Sequence, residues 1–260
     1  MTIITLTSDW GYRDHYMGSV KGTLYRLIPN VTVTDITHEI ALHDKIHAAH
    51  VLKNGYPAFP DNTIHIIGVD ADATLEQPHT VIYLDKQYFI GADNGIFSMI
   101  SNKSPEKIIQ LDIYQQGDFF TFPERDIFCQ AAAEIAKGTS LEKLGNEVGE
   151  VKQLQVFKPV ITENRIKAKV IHIDSYHNLI TNLDYKTFQK VRHGRNFQIH
   201  FYNGQFSVDT LSDSYSDVSE ASILAVFDSG GYLEIALNKG KASELLGMEI
   251  DAPVIIDFLD

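Results

Sequence analysis

Four stretches gather the side chains that could do chemistry. Ser8-Asp9-Trp10-Gly11-Tyr12-Arg13-Asp14-His15-Tyr16 sets two carboxylates, a hydroxyl and an aromatic cluster directly after an apolar run. One carboxylate can accept both hydroxyls of a ribose diol, and a second can hold an ammonium group. Asp9 and Asp14 are thus candidate ligand-holding acids, unless they simply cap the helix that follows. Asp70 offers a third acid after the apolar run Ile64 to Val69, either facing the same crevice or bonding its own turn. Asp174-Ser175-Tyr176-His177-Asn178-Leu179-Ile180-Thr181-Asn182 packs donors and acceptors into nine residues. The Asn178 amide suits an adenine edge or an amino-acid head group, although an Asn-rich β-turn would look the same. Around Ser229, the run Phe227-Asp228-Ser229-Gly230-Gly231 is a turn whose backbone N–H groups can approach a ligand closely.

His43, His47 and His50 fall at i, i+4 and i+7 of a predicted helix, the spacing of a two- or three-histidine metal site. No H-E-x-x-H arrangement accompanies them, so a solvated histidine-rich face is the better reading and no metal is expected.

The elements that must position these groups follow from the hydrophobic pattern. Ile3 to Thr7 reads as a strand buried on both faces, Tyr16 to Leu27 as a helix stopped by Pro29-Asn30, and Val31 to Ile36 as a second strand. A helix from about Asp44 to Asn54 and strands at Thr63 to Val69, Thr80 to Leu84 and Gln87 to Ile90 continue a βαβ pattern. The apolar stripe of Arg125 to Lys137, closed by Gly138, is the last helix of the first domain, and Gly145 to Asn164 reads as containing a linker. Beyond it come short alternating strands at Ile166 to Ile173, Phe197 to Tyr202, Ile223 to Phe227 and Tyr232 to Leu237, with turns at His193-Gly194 and Asn203-Gly204. The expected architecture is α/β: a larger N-terminal domain over 1–155 with a mixed, largely parallel sheet, and a smaller all-β, barrel-like domain over 165–260.

Composition bounds the function. The 260 residues are 44% hydrophobic and 22% charged, with a net charge of −12, which opposes binding to a phosphate backbone. The short basic cluster Arg192, His193 and Arg195 reads as a solvated turn rather than a nucleic-acid patch. A cationic ligand such as a sulfonium is electrostatically welcome. No apolar run is long enough to span a bilayer, the start lacks the basic region of a signal peptide, and the single cysteine, Cys129, suits a reducing compartment. A cytoplasmic protein without membrane or nucleic-acid partners is expected.

Taken in order, TLTSDWGYRDHYMGSVKG, VTDITHEI, IIGVDADATL, YFIGADNGIF, TFPERDIFCQAAAEIAKG, IDSYHNLITN and SGGYLEIALNKGKASELLG resemble the S-adenosylmethionine hydroxide adenosyltransferase family, which is related to the fluorinase and chlorinase. The resemblance spans nearly the whole chain. It implies attack of water on ribose C5′ of S-adenosylmethionine, giving adenosine and methionine, with that molecule as substrate and no cofactor. It also implies a homotrimer with each site between the first domain of one subunit and the β domain of its neighbour. By motif position Asp9 would hold the ribose hydroxyls, Asp14 and Asp174 the methionine end, Asn178 and the Ser229 turn the adenine or methionine ends, and Tyr215 in DSYSDV would stack on adenine.

The match weakens at the catalytic positions. Water-using members look like VDPGVGTxR and TFHGRD, with an Asp, an Arg and a His around the attacking water. This chain has VDADATLEQ and TFPERD, so Asp70 is kept while Gln77 stands for the arginine and Pro123 for the histidine. Halide-using enzymes carry a tyrosine where Asp70 stands, so the retained acid points to water or to no reaction. Glu76, His79, Glu124 and Arg125 are neighbours that could make up the loss. Binding without turnover, or adenosyl transfer to another nucleophile, are the alternatives to hydrolysis.

Overall fold

The apolar run at the start forms β1 (Ile3–Ser8), which lies between two parallel neighbours, β2 (Thr32–Thr37) and β3 (Ile64–Gly68). This computed structural model describes residues 1–115, 119–155, 157–201 and 204–259. The chain divides into two compact units, Met1–Gln155 and Val156–Asp260.

In the first unit β4 (His79–Leu84), β5 (Gln87–Ala92), β6 (Lys107–Leu111) and β7 (Gly145–Glu147) complete a mixed sheet in the order β2-β1-β3-β5-β4-β6-β7. All its strands but β4 and β7 point the same way. Consecutive residues alternate between two apolar layers. Ile66, Val81 and Ile90 join a core with α1 (Tyr16–Leu27) and α3 (Cys129–Ala136), while Ile67, Ile82 and Phe89 join another with α2 (Lys45–Gly55). Strands covered on both faces must be apolar throughout, which is why the sequence shows runs here rather than alternation. Asp44 begins α2 by accepting the N–H groups of Ile46 and His47. The predicted helix at Arg125 opens instead as a π-helical turn, Glu124–Phe128, and becomes α-helical from Cys129, whose thiol is buried against Val20.

Two expectations are corrected in this unit. The stretch from Gly145 begins with an edge strand, because Gly145 approaches β6 so closely that a Cβ would lie 1.8 Å from the Gln110 carbonyl oxygen. Backbone pairing of this kind leaves no hydrophobic alternation to read. Beyond it, Val151 is buried and Asp93 accepts the Lys152 N–H, so the chain is docked as far as Lys152, and the division between the two units after Gln155 falls within the stretch read as containing a linker. The three histidines do not share a helix face: His43 precedes the helix with φ +61°, and His47 Nδ1 accepts the Ala41 N–H.

The second unit is an antiparallel sheet of β8 (Val160–Ile161), β9 (Arg165–Ile173), β10 (Leu179–Asp184), β11 (Asn196–Phe201), β12 (Phe206–Val208), β13 (Ile223–Phe227), β14 (Tyr232–Leu237) and β15 (Pro253–Leu259). Its path is β12-β11-β15-β9-β10-β14-β13, with β8 on β9, and the ends of the path approach each other to make a nearly closed barrel. Ile166, Val170, Leu179, Phe197, Ile199, Leu233, Ile235 and Val254 fill it. The unit is not purely β. Asp184 caps a helix, α4 (Tyr185–Arg192), which buries the single large side chain Phe188 and so shows no apolar stripe in sequence, and a short α5 (Ala242–Leu246) follows β14. The basic cluster closes α4, with Arg195 donating to the Val191 carbonyl and Arg192 to the Arg195 carbonyl. Tyr202 and Asn203, read as a strand end and turn, lie outside the described residues.

Candidate functional site

The chain leaves β1 for β2 on one side and then crosses to β3 on the other, so the connections diverge at the β1/β3 boundary. In open α/β sheets the crevice beyond the carboxyl ends of the strands at such a point is where ligands bind. Asp9 directly follows β1, and Asp70 follows β3 by two residues.

Neither acid is spent on local structure. The N-cap of α1 is His15, without a side-chain bond, so neither Asp9 nor the exposed Asp14 caps that helix. Asp9 Oδ2 accepts the backbone N–H of His43 at 2.9 Å, tying the end of β1 to the loop before α2. Asp70 takes left-handed backbone geometry, φ +47°, a conformation that costs energy and persists only where the surroundings hold it. Asn94, itself buried, does so by donating both to the Val69 and to the Asp70 carbonyl at 3.0 Å. The Asp70 carboxylate turns to Lys45 Nζ at 3.0 Å and lies 3.9 Å from His43 Nδ1.

A second layer supports these strand ends. Ser8 Oγ and His38 Nδ1 share a hydrogen bond at 2.6 Å, and His38 Nε2 lies 3.1 Å from Asp35. The sequence of groups resembles a nucleophilic triad, yet Ser8 and His38 are fully buried, so it fixes the end of β1 instead of attacking a ligand. Trp10 stacks on His38 and donates its indole N–H to Glu124 Oε1 at 3.3 Å. Glu124 is only 6% exposed. Burial, reinforced by the Asp9 and Asp72 carboxylates, pushes it up to about 7.

The two altered positions carry no acid or base toward this crevice. Gln77 folds back on its own loop and donates to the Asp72 carbonyl at 2.8 Å, and Pro123 precedes the π-helical turn. Of the possible replacements, Glu76 is exposed, and Arg125 forks onto Asp126 and lines a separate cavity of about 550 Å³ with Thr23 and Arg26. His79 Nε2 sits 3.0 Å from the Ala71 carbonyl oxygen, and burial lowers its pKa.

In the second unit Asn178 and Tyr215 line one cavity of about 600 Å³, together with Tyr176, His177, Leu237 and Lys241. Asp174, which precedes the lining residues Ser175 to Asn178, orders their turn. One carboxylate oxygen accepts the Tyr176 and Asn178 N–H groups, and the other accepts the Asn178 amide. This is the turn chemistry that the sequence left open, and it orders Asn178. Tyr215 donates its hydroxyl to Glu234 at 2.9 Å, and Glu234, 2% exposed, is pushed up to about 7 by burial and by Asp174 and Asp228. Ser229 is exposed on the turn after β13, which Asp228 closes by accepting the Tyr232 N–H; it does not line the cavity.

Sequence reasoning missed Lys45, Asn94 and Glu234. A glutamate within the apolar run Leu233 to Ala236 was the available sign for Glu234, since a charge in a buried strand demands a partner. Lys45 had no sign, because its partner is brought to it by the β3 turn.

The chain matches the family model of the SAM hydroxide adenosyltransferase N-terminal domain over residues 4–145 and that of the C-terminal domain over 168–255. A relative from Methanocaldococcus jannaschii, named (R)-S-adenosyl-L-methionine hydrolase, is 28% identical over 264 residues, covering 96% of this chain and 93% of the relative. One of the same name from Thermus thermophilus is 28% identical over 269 residues, covering 98% and 99%. The crystal structure of an uncharacterised conserved protein from Thermotoga maritima superposes with a TM-score of 0.88 at 28% identity, over 98% of this chain and all of that one. Matched in both units and sharing that fold along its length, the chain belongs to the S-adenosylmethionine hydroxide adenosyltransferase family.

Proposed function

We propose that this protein hydrolyses S-adenosylmethionine to adenosine and methionine, and that it takes the R configuration at sulfur, the one in its relatives' names. The observation that carries the reading is Asp70, held in a left-handed turn at the β1/β3 boundary by Asn94 and faced by Lys45. Attack at ribose C5′ needs an in-line water and a desolvated pocket, and the sulfonium leaves as a neutral thioether without help from an acid. Asp70 orients that water. No metal or organic cofactor takes part in this scheme.

Asp9 holds the ribose hydroxyls, Asp14 and Asp174 the methionine end, Asn178 and the Ser229 turn the adenine or methionine ends, and Tyr215 stacks on adenine. Each site is completed by the second unit of a neighbouring subunit in a homotrimer, for which sedimentation should give three times 29.2 kDa. Among the described residues no helix is long and apolar enough to cross a membrane. With a charge of −12 opposing nucleic acid, we place the protein in the cytoplasm.

A second reading, binding without turnover, draws on Gln77 and Pro123, neither of which offers a proton-transfer group. Incubating the purified protein with each sulfur epimer, beside an Asp70→Asn control, and following adenosine and methionine by chromatography separates the two. Hydrolysis predicts both products from the wild type and neither from the control. Tight binding with no product leaves the second reading, and an adenosyl adduct other than adenosine means transfer to another nucleophile.

A further inference from the structure

The change from TFHGRD to TFPERD does two things at once. It removes the histidine at Pro123, and it puts a carboxylate at Glu124 where the motif has glycine. The structure shows where that carboxylate goes. Glu124 opens the π-helical turn, a form of helix found disproportionately at functional sites, and its side chain runs under Trp10. Its Oε1 would lie 3.2 Å from a Cβ built on Gly68, the last residue of β3, two before Asp70. Trp10, which donates to it, is the residue after Asp9. The carboxyl thus sits between the two strand ends that present Asp9 and Asp70.

On the hydrolase reading above, we propose that Glu124 accepts the proton of the attacking water, directly or through one further water. As the water oxygen bonds to C5′, the C5′–S electron pair passes to sulfur, and the O–H pair stays on oxygen while the proton moves to Glu124. One positive charge on the sulfonium and one negative charge on Glu124 disappear together, so the step separates no charge in a buried site.

The groups that face Glu124 suit this task. Asp9 and Asp72 approach from the ends of β1 and β3 and oppose its ionisation, Trp10 favours it, and Cys129 lies on the helix that continues from the π-turn. Arg125 and Asp126, the next two residues, neutralise each other. A bound sulfonium stabilises the carboxylate, and as its charge vanishes during reaction the environment again favours the protonated acid. The base therefore strengthens as the transition state forms, which is where an enzyme gains most.

The test is the rate of adenosine formation between pH 5 and 9 for wild type, Glu124→Gln and Trp10→Phe, with substrate affinity measured by calorimetry and folding by thermal melts. Expected for the wild type is a rate that rises with pH and levels off. Glu124→Gln should bind up to about tenfold more weakly, since a sulfonium that stabilises the carboxylate is stabilised by it in return, and should turn over about 10² to 10³-fold more slowly and lose the rising limb, the effect of removing a general base. Trp10→Phe removes a hydrogen bond to the charged form, so its limb should move to higher pH; this variant decides the matter if Glu124→Gln does not fold. A Glu124→Gln enzyme with wild-type rate and profile, or an unmoved limb in Trp10→Phe, overturns the proposal while leaving the hydrolase standing. A wild type that yields no adenosine from either epimer overturns both.

Discussion

Lys45 Nζ lies 3.0 Å from Asp70 Oδ2, so the first residue of α2 neutralises the acid that follows β3. The pair is about one-third exposed, and pairs of this kind contribute only ~0.2–1 kcal/mol to stability. Lys45→Met should therefore melt within a few degrees of the wild type. Its turnover should fall about tenfold or more, corresponding to ~1.4 kcal/mol or more of barrier, because Asp70 loses the contact that aims it. Melting curves and adenosine formation on the same samples check both halves, and an unchanged rate would remove Lys45 from the site.

Gly68 leaves room for Trp10: a Cβ there would lie 2.4 Å from the indole Cζ2. Gly68→Ala should cost about 1–3 kcal/mol as an overpacked core does, and should abolish hydrolysis by displacing both Trp10 and Glu124. Gly22, inside α1 with open space around it, is the control. Gly22→Ala should stabilise by about 0.5–1 kcal/mol through helix propensity. Denaturant midpoints distinguish the two substitutions.

Glu234 makes a pH prediction of definite sign. Its carboxyl is raised from 4.5 to about 7 in the fold, first by burial, so the fold favours the protonated acid. The stability it contributes is complete below about pH 4.5 and is lost as pH rises through 7. Glu234→Gln does not titrate and can still accept from Tyr215. It should gain on the wild type between pH 5 and 8 by up to about 3 kcal/mol. Parallel melts at pH 5 and 8 measure the difference, and a constant gap would show that Glu234 titrates normally.

Tyr215 separates ring from hydroxyl. If its ring carries adenine, Tyr215→Ala should weaken adenosine binding about 5 to 150-fold, as expected when ~1–3 kcal/mol of stacking is removed, whereas Tyr215→Phe should bind nearly as the wild type does. Calorimetry with adenosine decides it; equal losses in both variants would assign the effect to the bond with Glu234.

Most of the first unit was legible because its strands are covered on both faces and announce themselves as runs such as Ile64 to Val69. Asp9 and Asp70 were legible for the same reason, as the first acids after such runs. What escaped depends on partners far apart in the chain. Lys45 meets Asp70 across 25 residues and Trp10 meets Glu124 across 114, distances at which no spacing rule operates. β7 escaped because an edge strand pairs through its backbone, and α4 because a single buried Phe188 makes no stripe.

Cys129 is the chain's one cysteine, fully buried, with a thiol that burial pushes well above its ordinary range. Since only the thiolate is alkylated, reagents must wait for the helix at Cys129 to open away from Val20. The rate of alkylation is therefore a clock for breathing of the first unit alone. Slowing of that clock by substrate, compared with adenosine, would tell how much of the tightening comes from the amino-acid end of the ligand.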